Sequence, residues 1–328
     1  MVNSTIYTRA YSTSSAGKLV SAKGPKGDPL SRTALLEEFR NHAKKGNREP
    51  TALVSASNRI IDTLKRAFDE HYEYGEPSAE IWIAFIEAPS NVDGAAVQIH
   101  SAKELAEECE DPEPDKFMHE VVFEWAIPEK YVLHKVSLQT LMKRGLKDDD
   151  LLQPSTAEVR DYAARGLEPD GGWHGSWEIG VTLGSFAQTF GARAPLDWVA
   201  HQLFHDCVWV TALDDDVFRL NYAHGHTKIV GSHFLRELDD GIKTSLYEWW
   251  IADISFIRDC DELNEWRDAS EEGMTWDLIG FWETWGDVDY DELSREEKLL
   301  YDGGINKILV EHEKRRADIE AKAVQIGL

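Results

Sequence analysis

Residues 48–68, REPTALVSASNRIIDTLKRAF, join a short apolar run to an amphipathic helix and decide how the first part of this 328-residue chain folds. The apolar run at 51–54 follows a turn-forming proline and predicts a buried strand. The helix predicted over 58–71 carries its apolar side chains at intervals of three and four residues. Ser55 and Ser57 lie between the two, either as caps of the helix or as polar groups at the mouth of a pocket.

Outward from this stretch, strands and helices alternate up to about residue 147. The patterns predict strands at 5–11, 51–54, 81–86, 121–123 and 131–138, and helices at 31–44, 58–71 and 101–109. Beyond residue 156 the pattern is helical at 180–191, 195–213, 235–260, 260–285 and 293–325, with one hairpin at 221–230 that turns at His224-Gly225. The chain is therefore predicted to hold an α+β domain over 1–150 and a mostly helical, acidic, Trp-rich domain over 151–328.

The charge of the chain limits its partners. The net charge is −25, distributed as +5 over residues 1–50, −11 over 51–150 and −19 over 151–328. A nucleic-acid footprint needs a basic face, and adhesion to anionic membranes needs basic clusters, so neither partner is expected. No apolar run approaches the roughly 18 residues that a membrane span needs. The acidic C-terminal half is expected either to keep the protein in solution or to bind a basic protein partner.

The compartment is predicted from the cysteines and from the N-terminus. Cys109, Cys207 and Cys260 are few and widely spaced, which indicates a reducing, intracellular and most simply cytoplasmic location. Residues 1–27 contain basic and hydroxyl-bearing residues before the first acidic one, Asp28, as in a mitochondrial transit peptide. Residues 5–11 also alternate as a strand does, and the strand is the preferred interpretation.

The segments around the opening stretch resemble those of an uncharacterised family of filamentous-fungal proteins. The resemblance covers about residues 5–147 and includes Glu120-Val121-Val122-Phe123. The order of elements is also similar to that of the ADP-ribosyltransferase fold, a split β-sandwich with flanking helices. That family has an Arg between aromatic residues on its first strand, a Ser-x-Ser strand before a helix, and a Glu that heads a later strand. Arg9, Ser55 with Ser57, and Glu120 match those three positions.

This resemblance implies NAD as the substrate and gives each matched residue a role. Glu120 is the catalytic carboxylate, which holds a ribose hydroxyl and stabilises an oxocarbenium-like transition state. Arg9 binds phosphate, and Ser55 and Ser57 orient Glu120 and shape the nicotinamide pocket. The implied activity is transfer of ADP-ribose to a protein or small molecule. Met118 departs from the family pattern, since transferases that modify arginine carry Glu or Gln there.

Each of these residues also has a structural interpretation. Ser57 can cap the following helix, Arg9 can lie on a solvated edge strand, and Glu120 can pair with a surface lysine. Together these interpretations describe a protein that keeps the fold without the chemistry. The alternative function is therefore a non-catalytic interaction protein or scaffold.

A third hypothesis comes from the second half of the chain. His201, His205 and Asp206 form an HxxxHD stretch that places two imidazoles four residues apart on one helix face, as in a metal-dependent hydrolase. Gln202 replaces the Glu that zinc hydrolases have after the first histidine. The preferred interpretation is a core-packed helix with no metal, and His224 and His226 are noted as further ligands in a turn.

Overall fold

The computed structural model describes residues 4–13, 15, 18–25, 27–44, 49–89, 98–146, 151–169, 175–247 and 254–325. It divides into two compact units, one up to residue 253 and one from Ile254 onward. The first unit contains both the sheet and the helices that follow it, and the boundary predicted at residue 150 lies inside it. Its largest apolar core includes Phe68 and Phe85 from one side of that boundary and Val159 and Phe190 from the other.

The N-terminal part is built on one six-stranded antiparallel sheet. Its strands are β1 (Ser4–Tyr11), β2 (Leu53–Ser57), β3 (Trp82–Pro89), β4 (Ile99–Ser101), β5 (Glu120–Glu124) and β6 (Val132–Ser137), in the spatial order β4-β5-β2-β1-β3-β6. β1 lies in the interior of this sheet, between β2 and β3, which confirms the strand predicted at the N-terminus. The fold class is α+β, as predicted.

Helices cover the sheet and make up most of the later chain. They are α1 (Arg32–Ala43), α2 (Ile60–Tyr72), α3 (Ala102–Glu108), α4 (Leu138–Lys143), α5 (Thr156–Gly166), α6 (Ser176–Gln188), α7 (Leu196–Cys207), α8 (Ser232–Tyr247), α9 (Ile254–Trp285) and α10 (Arg295–Gln325). The predicted cap of α1 is confirmed, since the Ser31 hydroxyl accepts a hydrogen bond from the backbone N–H of Ala34. No helix among the described residues is both long and apolar enough to cross a membrane.

The two serines lie within β2 rather than beyond its end. The strand was predicted to stop at Val54, but its pairing with β5 continues through Ser57, which lies opposite Glu120. Alternation places Leu53, Ser55 and Ser57 on one face of the sheet, while Val54 packs into an apolar cluster on the other. The apolar run alone places the end of this strand too early, because backbone pairing with β5, rather than hydrophobicity, sets where the strand ends.

The prediction of a helix over 195–213 is correct up to Cys207 and wrong after it. Helix α7 ends at Cys207 and the chain continues directly as β7 (Val208–Asp214), which pairs with β8 (Val217–Tyr222) and through it with β9 (Thr227–Gly231). The predicted hairpin is confirmed as β8 and β9, with its turn at Gly225. The β-branched residues after Cys207 favour a strand once a partner strand is available.

The second unit is a helical hairpin of α9 and α10. At one end Leu263, Ile319 and Ala323 form a small apolar cluster. Farther along, the rings of Phe281 and Tyr301 meet edge to face with centroids 5.0 Å apart. The long helical patterns predicted for this region are therefore confirmed.

Candidate functional site

The sheet opens between its two central strands. Among the described residues, β1 and β2 share a single registered pair, Thr8 opposite Ser57, whereas β1 pairs with β3 from Ser4 to Tyr11. The guanidinium of Arg9 bridges the gap: Nη1 donates to the carbonyl of Ser55 at 2.5 Å and Nε donates to the carbonyl of Lys18 at 2.7 Å. A side chain thus replaces the missing backbone ladder, and the two halves of the sheet diverge around it.

A cavity of about 420 Å³ lies at this opening. The four residues that the sequence singled out, Arg9, Ser55, Ser57 and Glu120, all line it. The volume falls within the range of about 300–1,000 Å³ that is usual for small-molecule pockets. The structure therefore brings together side chains that are as many as 111 positions apart in the chain.

Glu120 is the first residue of β5 and is half-buried in the cavity wall. Burial raises the pKa of its carboxyl, against a hydrogen bond with Ser55 and the positive charges of Arg66 and Arg9, which lower it. On the neighbouring strand, Ser57 lies directly opposite Glu120. Ser55, two residues earlier, is therefore diagonal to Glu120 on the same face of the sheet, where the two side chains can meet. The serine therefore orients the carboxylate.

The cavity concentrates positive charge in a strongly acidic protein. Arg9, Arg59, Arg66 and Arg160 all line it. Burial and the nearby Arg66 lower the pKa of Arg9 to about 10, so its guanidinium keeps its charge at neutral pH. Burial and Arg160 likewise lower the pKa of Arg59. Like charges held together at a half-buried site repel one another, and an anionic ligand would relieve this repulsion.

Two polar atoms at this site are buried and have no hydrogen-bond partner among the described residues. They are Nε of Arg160 and Oδ1 of Asp62. Buried polar atoms are paired in the great majority of cases, so unpaired ones in a cavity wall indicate where a ligand would make contacts. Arg160 belongs to α5 and enters the site from outside the sheet.

Three of the four arginines were missed from the sequence. Arg59, the N-cap residue of α2, and Arg66 on that helix are seven residues apart with Asp62 and Thr63 between them, so a polar stripe opposite the apolar face was available as a signal. Nothing in the local pattern of α5 marks Arg160. Its position depends on how α5 packs on α2.

His119 immediately precedes Glu120 and lines the same cavity. Its Nδ1 lies 3.0 Å from Oδ1 of Asn58, and its carbonyl accepts a hydrogen bond from the Asn58 backbone. Burial, reinforced by Arg59 and Arg160, lowers the pKa of His119 to about 4. The imidazole is therefore neutral at physiological pH and adds a polar contact without another positive charge.

Two neighbours of Glu120 do not take part in the cavity. Glu124, the other carboxylate of β5, is buried elsewhere: it accepts a hydrogen bond from the Leu30 backbone at 3.0 Å and contacts His100 at 2.8 Å. Met118 is about half exposed. The position that carries Glu or Gln in arginine-modifying transferases therefore presents a thioether here.

The predicted HxxxHD ligands do not converge. Asp206 is 1% exposed; its Oδ2 accepts the backbone N–H of Ile61 at 3.0 Å and its Oδ1 accepts the Gln202 amide at 2.7 Å. It therefore caps α2, whose own N-cap residue supplies no side-chain bond. His201 bonds within its helix and approaches Asp239, while His205 is exposed. The metal alternative at 201–206 lacks an assembled ligand set because its carboxylate is used in the core.

Comparison with known proteins gives a family match for the first part of the chain. Residues 4–141 match a family described as "Domain of unknown function (DUF7587)". Searches of the curated proteins and of the solved structures found no match. The matched region contains Arg9, Ser55, Ser57 and Glu120, whereas Arg160 comes from the chain that follows it.

Proposed function

We propose that this protein binds NAD in the cavity between β1 and β2 and acts as an ADP-ribosyltransferase-like enzyme with Glu120 as its catalytic carboxylate. The observation that carries the proposal is that Arg9, Ser55, Ser57 and Glu120 line one cavity. Their residue types match the ligand, since NAD has a pyrophosphate for guanidinium groups and a ribose for a carboxylate.

In this proposal the arginines of the cavity bind the pyrophosphate of NAD. Its two phosphates are each negatively charged, and the cavity is lined by four guanidinium groups and the Lys116 ammonium against the three carboxylates of Asp62, Asp115 and Glu120. Arg59 is the residue before α2 and Arg160 lies on α5, and their guanidinium groups repel one another when no anionic ligand lies between them. They therefore form the proposed phosphate subsite, and Arg9 helps to hold the ligand next to the serines.

In this proposal Glu120 stabilises the transition state for cleavage of the bond between ribose and nicotinamide. The bond between C1′ of the ribose and the nicotinamide nitrogen breaks, and its electron pair leaves with nicotinamide. A nucleophile, either water or an acceptor group, forms the new bond to C1′ and loses its proton. Positive charge develops on the ribose in between, and an ionised Glu120 stabilises that charge while it holds a ribose hydroxyl. The Ser55 hydrogen bond keeps the carboxylate in place.

Isothermal titration with NAD tests the binding step. Wild-type protein is expected to bind one NAD, and Arg160→Gln is expected to weaken binding by about 10- to 100-fold, the usual worth of a charge-assisted hydrogen bond. Arg165→Gln is the matched control, because Arg165 lies on the same helix but is exposed and outside the cavity. Absence of NAD binding by the wild type at millimolar concentration would remove the proposal, and equal effects of the two variants would remove the phosphate subsite.

A second candidate function, a scaffold that binds a protein, is favoured by the surface of the helical hairpin. Several of its large apolar side chains are exposed, with Trp276 at 63%, Val310 at 64%, and Leu299 and Leu300 each at 67%. Exposed apolar side chains in such number are typical of a surface that binds another protein.

The double variant Leu299→Glu/Leu300→Glu is therefore expected to lose a stoichiometric partner in a pull-down, while Glu120→Gln retains it. Lys307→Glu, at an exposed position of the same helix, makes an equal change in charge and is expected to retain the partner too. Retention of the partner by the double leucine variant would exclude this surface.

A further inference from the structure

A cluster outside the cavity between β1 and β2 joins the turn of the β8–β9 hairpin to Glu168, two residues after the end of α5. Oε2 of Glu168 lies 3.1 Å from Nε2 of His224 and 3.1 Å from Nδ1 of His226. The three residues offer one ligand atom each, and these atoms all lie within 4.8 Å of one another. It is the one group of three or more such ligands within the part of the chain that the structure describes.

The turn itself places the two imidazoles side by side. Gly225 separates them with φ of +90°, a conformation that glycine adopts without strain. The rings have centroids 4.5 Å apart, and backbone hydrogen bonds from Tyr222 and Gly225 close the loop. The backbone of the turn therefore holds the two histidines next to each other.

Neighbouring contacts hold the carboxylate against this turn. The ammonium of Lys228, on β9, donates to the carbonyl of Pro169 at 3.1 Å. The backbone N–H of Ala223 donates to the carbonyl of Cys207. The His224 ring is 5% exposed, and its Nδ1 has no hydrogen-bond partner among the described residues, so Nε2 is the nitrogen through which this buried ring interacts.

We propose that Glu168, His224 and His226 bind a divalent transition-metal ion of the Zn²⁺ type, with one coordination position open to solvent. Two imidazoles and a carboxylate are donors that such ions accept at about 2.0–2.2 Å. In a tetrahedral site those bond lengths place ligand atoms about 3.3 Å apart, close to the 3.1 Å that separates the Glu168 carboxylate from each imidazole. The open position follows from His226, whose side chain is 67% exposed.

The ion would fasten the hairpin turn to the end of α5. It binds the folded arrangement and has no preformed site in the unfolded chain, so its binding stabilises the fold. This role is independent of the NAD proposal, since none of the three ligands lines that cavity.

Titration of chelator-treated protein with Zn²⁺ and with Co²⁺ tests the site. We expect one ion per chain by calorimetry, visible absorption of bound Co²⁺ and a rise in Tm with Zn²⁺. His224→Gln and Glu168→Gln are each expected to weaken Zn²⁺ binding by more than about 100-fold, because loss of a supporting residue alone already costs roughly 10- to 100-fold. His226→Gln keeps the test valid if the buried His224 variant fails to fold.

His233→Gln is the matched control. It removes the histidine of another His–carboxylate pair, His233 with Glu237 at 2.8 Å on the surface of α8. This variant is expected to bind the ion as the wild type does. Absence of saturable one-to-one binding, or equal binding by the wild type and Glu168→Gln, would overturn the proposal and leave the cluster as a hydrogen-bonded group.

Discussion

Glu120→Gln is expected to lower the rate of nicotinamide release from NAD by about 100-fold or more, the usual cost of removing one electrostatic contact to a transition state. Gln has nearly the same shape as Glu and keeps an oxygen for the hydrogen bond with Ser55, so NAD affinity is expected to change only a few-fold. The loss appears in kcat because the charge acts on the oxocarbenium-like transition state. Single-turnover assays with isothermal titration on the same samples separate the two quantities.

The same carboxylate sets a pH dependence. The ionised form stabilises positive charge, so the wild-type rate falls as pH falls through the pKa of Glu120. Burial raises that pKa above its ordinary value of 4.5, so the loss of activity begins at a higher pH than it would for an exposed glutamate. The residual activity of Glu120→Gln is expected to lack this acidic limb.

Glu113→Gln provides the matched control for this prediction. Glu113 is exposed, precedes Glu120 by seven residues and does not line the cavity. It is expected to leave the rate and its pH profile unchanged. A Glu120→Gln enzyme that releases nicotinamide at the wild-type rate would refute the assignment of Glu120, even if NAD binding were intact.

Asp206→Ala is expected to destabilise the first unit by about 2–3 kcal/mol at about pH 6, which lowers its Tm by roughly 5–10 °C. The side chain is buried and caps α2 through the backbone N–H of Ile61, and it also accepts from the Gln202 amide. Alanine leaves both donors buried without an acceptor. Arg59 at the N-cap of α2 and Arg66 within it both line the cavity, so NAD affinity is expected to fall as well.

The stability contributed by Asp206 depends on pH with a definite sign. Burial raises its pKa to about 7 in the folded protein, against an ordinary value of 3.8. The folded state therefore binds the extra proton between about pH 4 and pH 7, and stability falls as pH rises through that window. Asp206→Asn cannot ionise and keeps an oxygen for Ile61, so urea unfolding of this variant is expected to show a flatter dependence over the same range.

Asp197→Ala tests whether the effect is specific to the cap. Asp197 lies on the same helix, with its side chain 57% exposed, and is expected to change stability by no more than about 0.5 kcal/mol. If Asp206→Ala were as stable as Asp197→Ala, the contact between α7 and the start of α2 would not support the helix.

Local sequence patterns predict some strands and helices of this fold correctly and others wrongly. Alternation placed a strand at 5–11 and three- and four-residue spacing placed a helix at 58–71, and both are present. The helix predicted where β7 lies and the strand end predicted at Val54, which β2 passes to reach Ser57, are wrong for the same reason. In both cases a partner strand, β8 or β5, decides the backbone conformation, and a partner from elsewhere in the chain leaves no local signal.

The candidate site divides in the same way. Arg9, Ser55, Ser57 and Glu120 were selected by their order in a resemblance, and the structure places them around one cavity. The resemblance did not indicate the other guanidinium groups, although the polar stripe of α2 contains two of them. The sequence offers Asp206 as a metal ligand only in the less favoured alternative, because histidines are its neighbours, whereas in the folded chain it caps a helix that begins 146 residues earlier.

The sequence alone determined the α+β class, the order of most elements and the strongly acidic net charge of −25. The fold class and the elements follow from hydrophobic periodicity within short segments, and the charge follows from the composition of the whole chain. The tertiary structure alone decided that Arg160 completes the cavity, that Asp206 caps α2 and that Glu168 meets two histidines of a turn. Asp206 contacts Ile61, which is 145 positions earlier, and Glu168 contacts His224, which is 56 positions later, and such pairs are set by packing rather than by any local pattern.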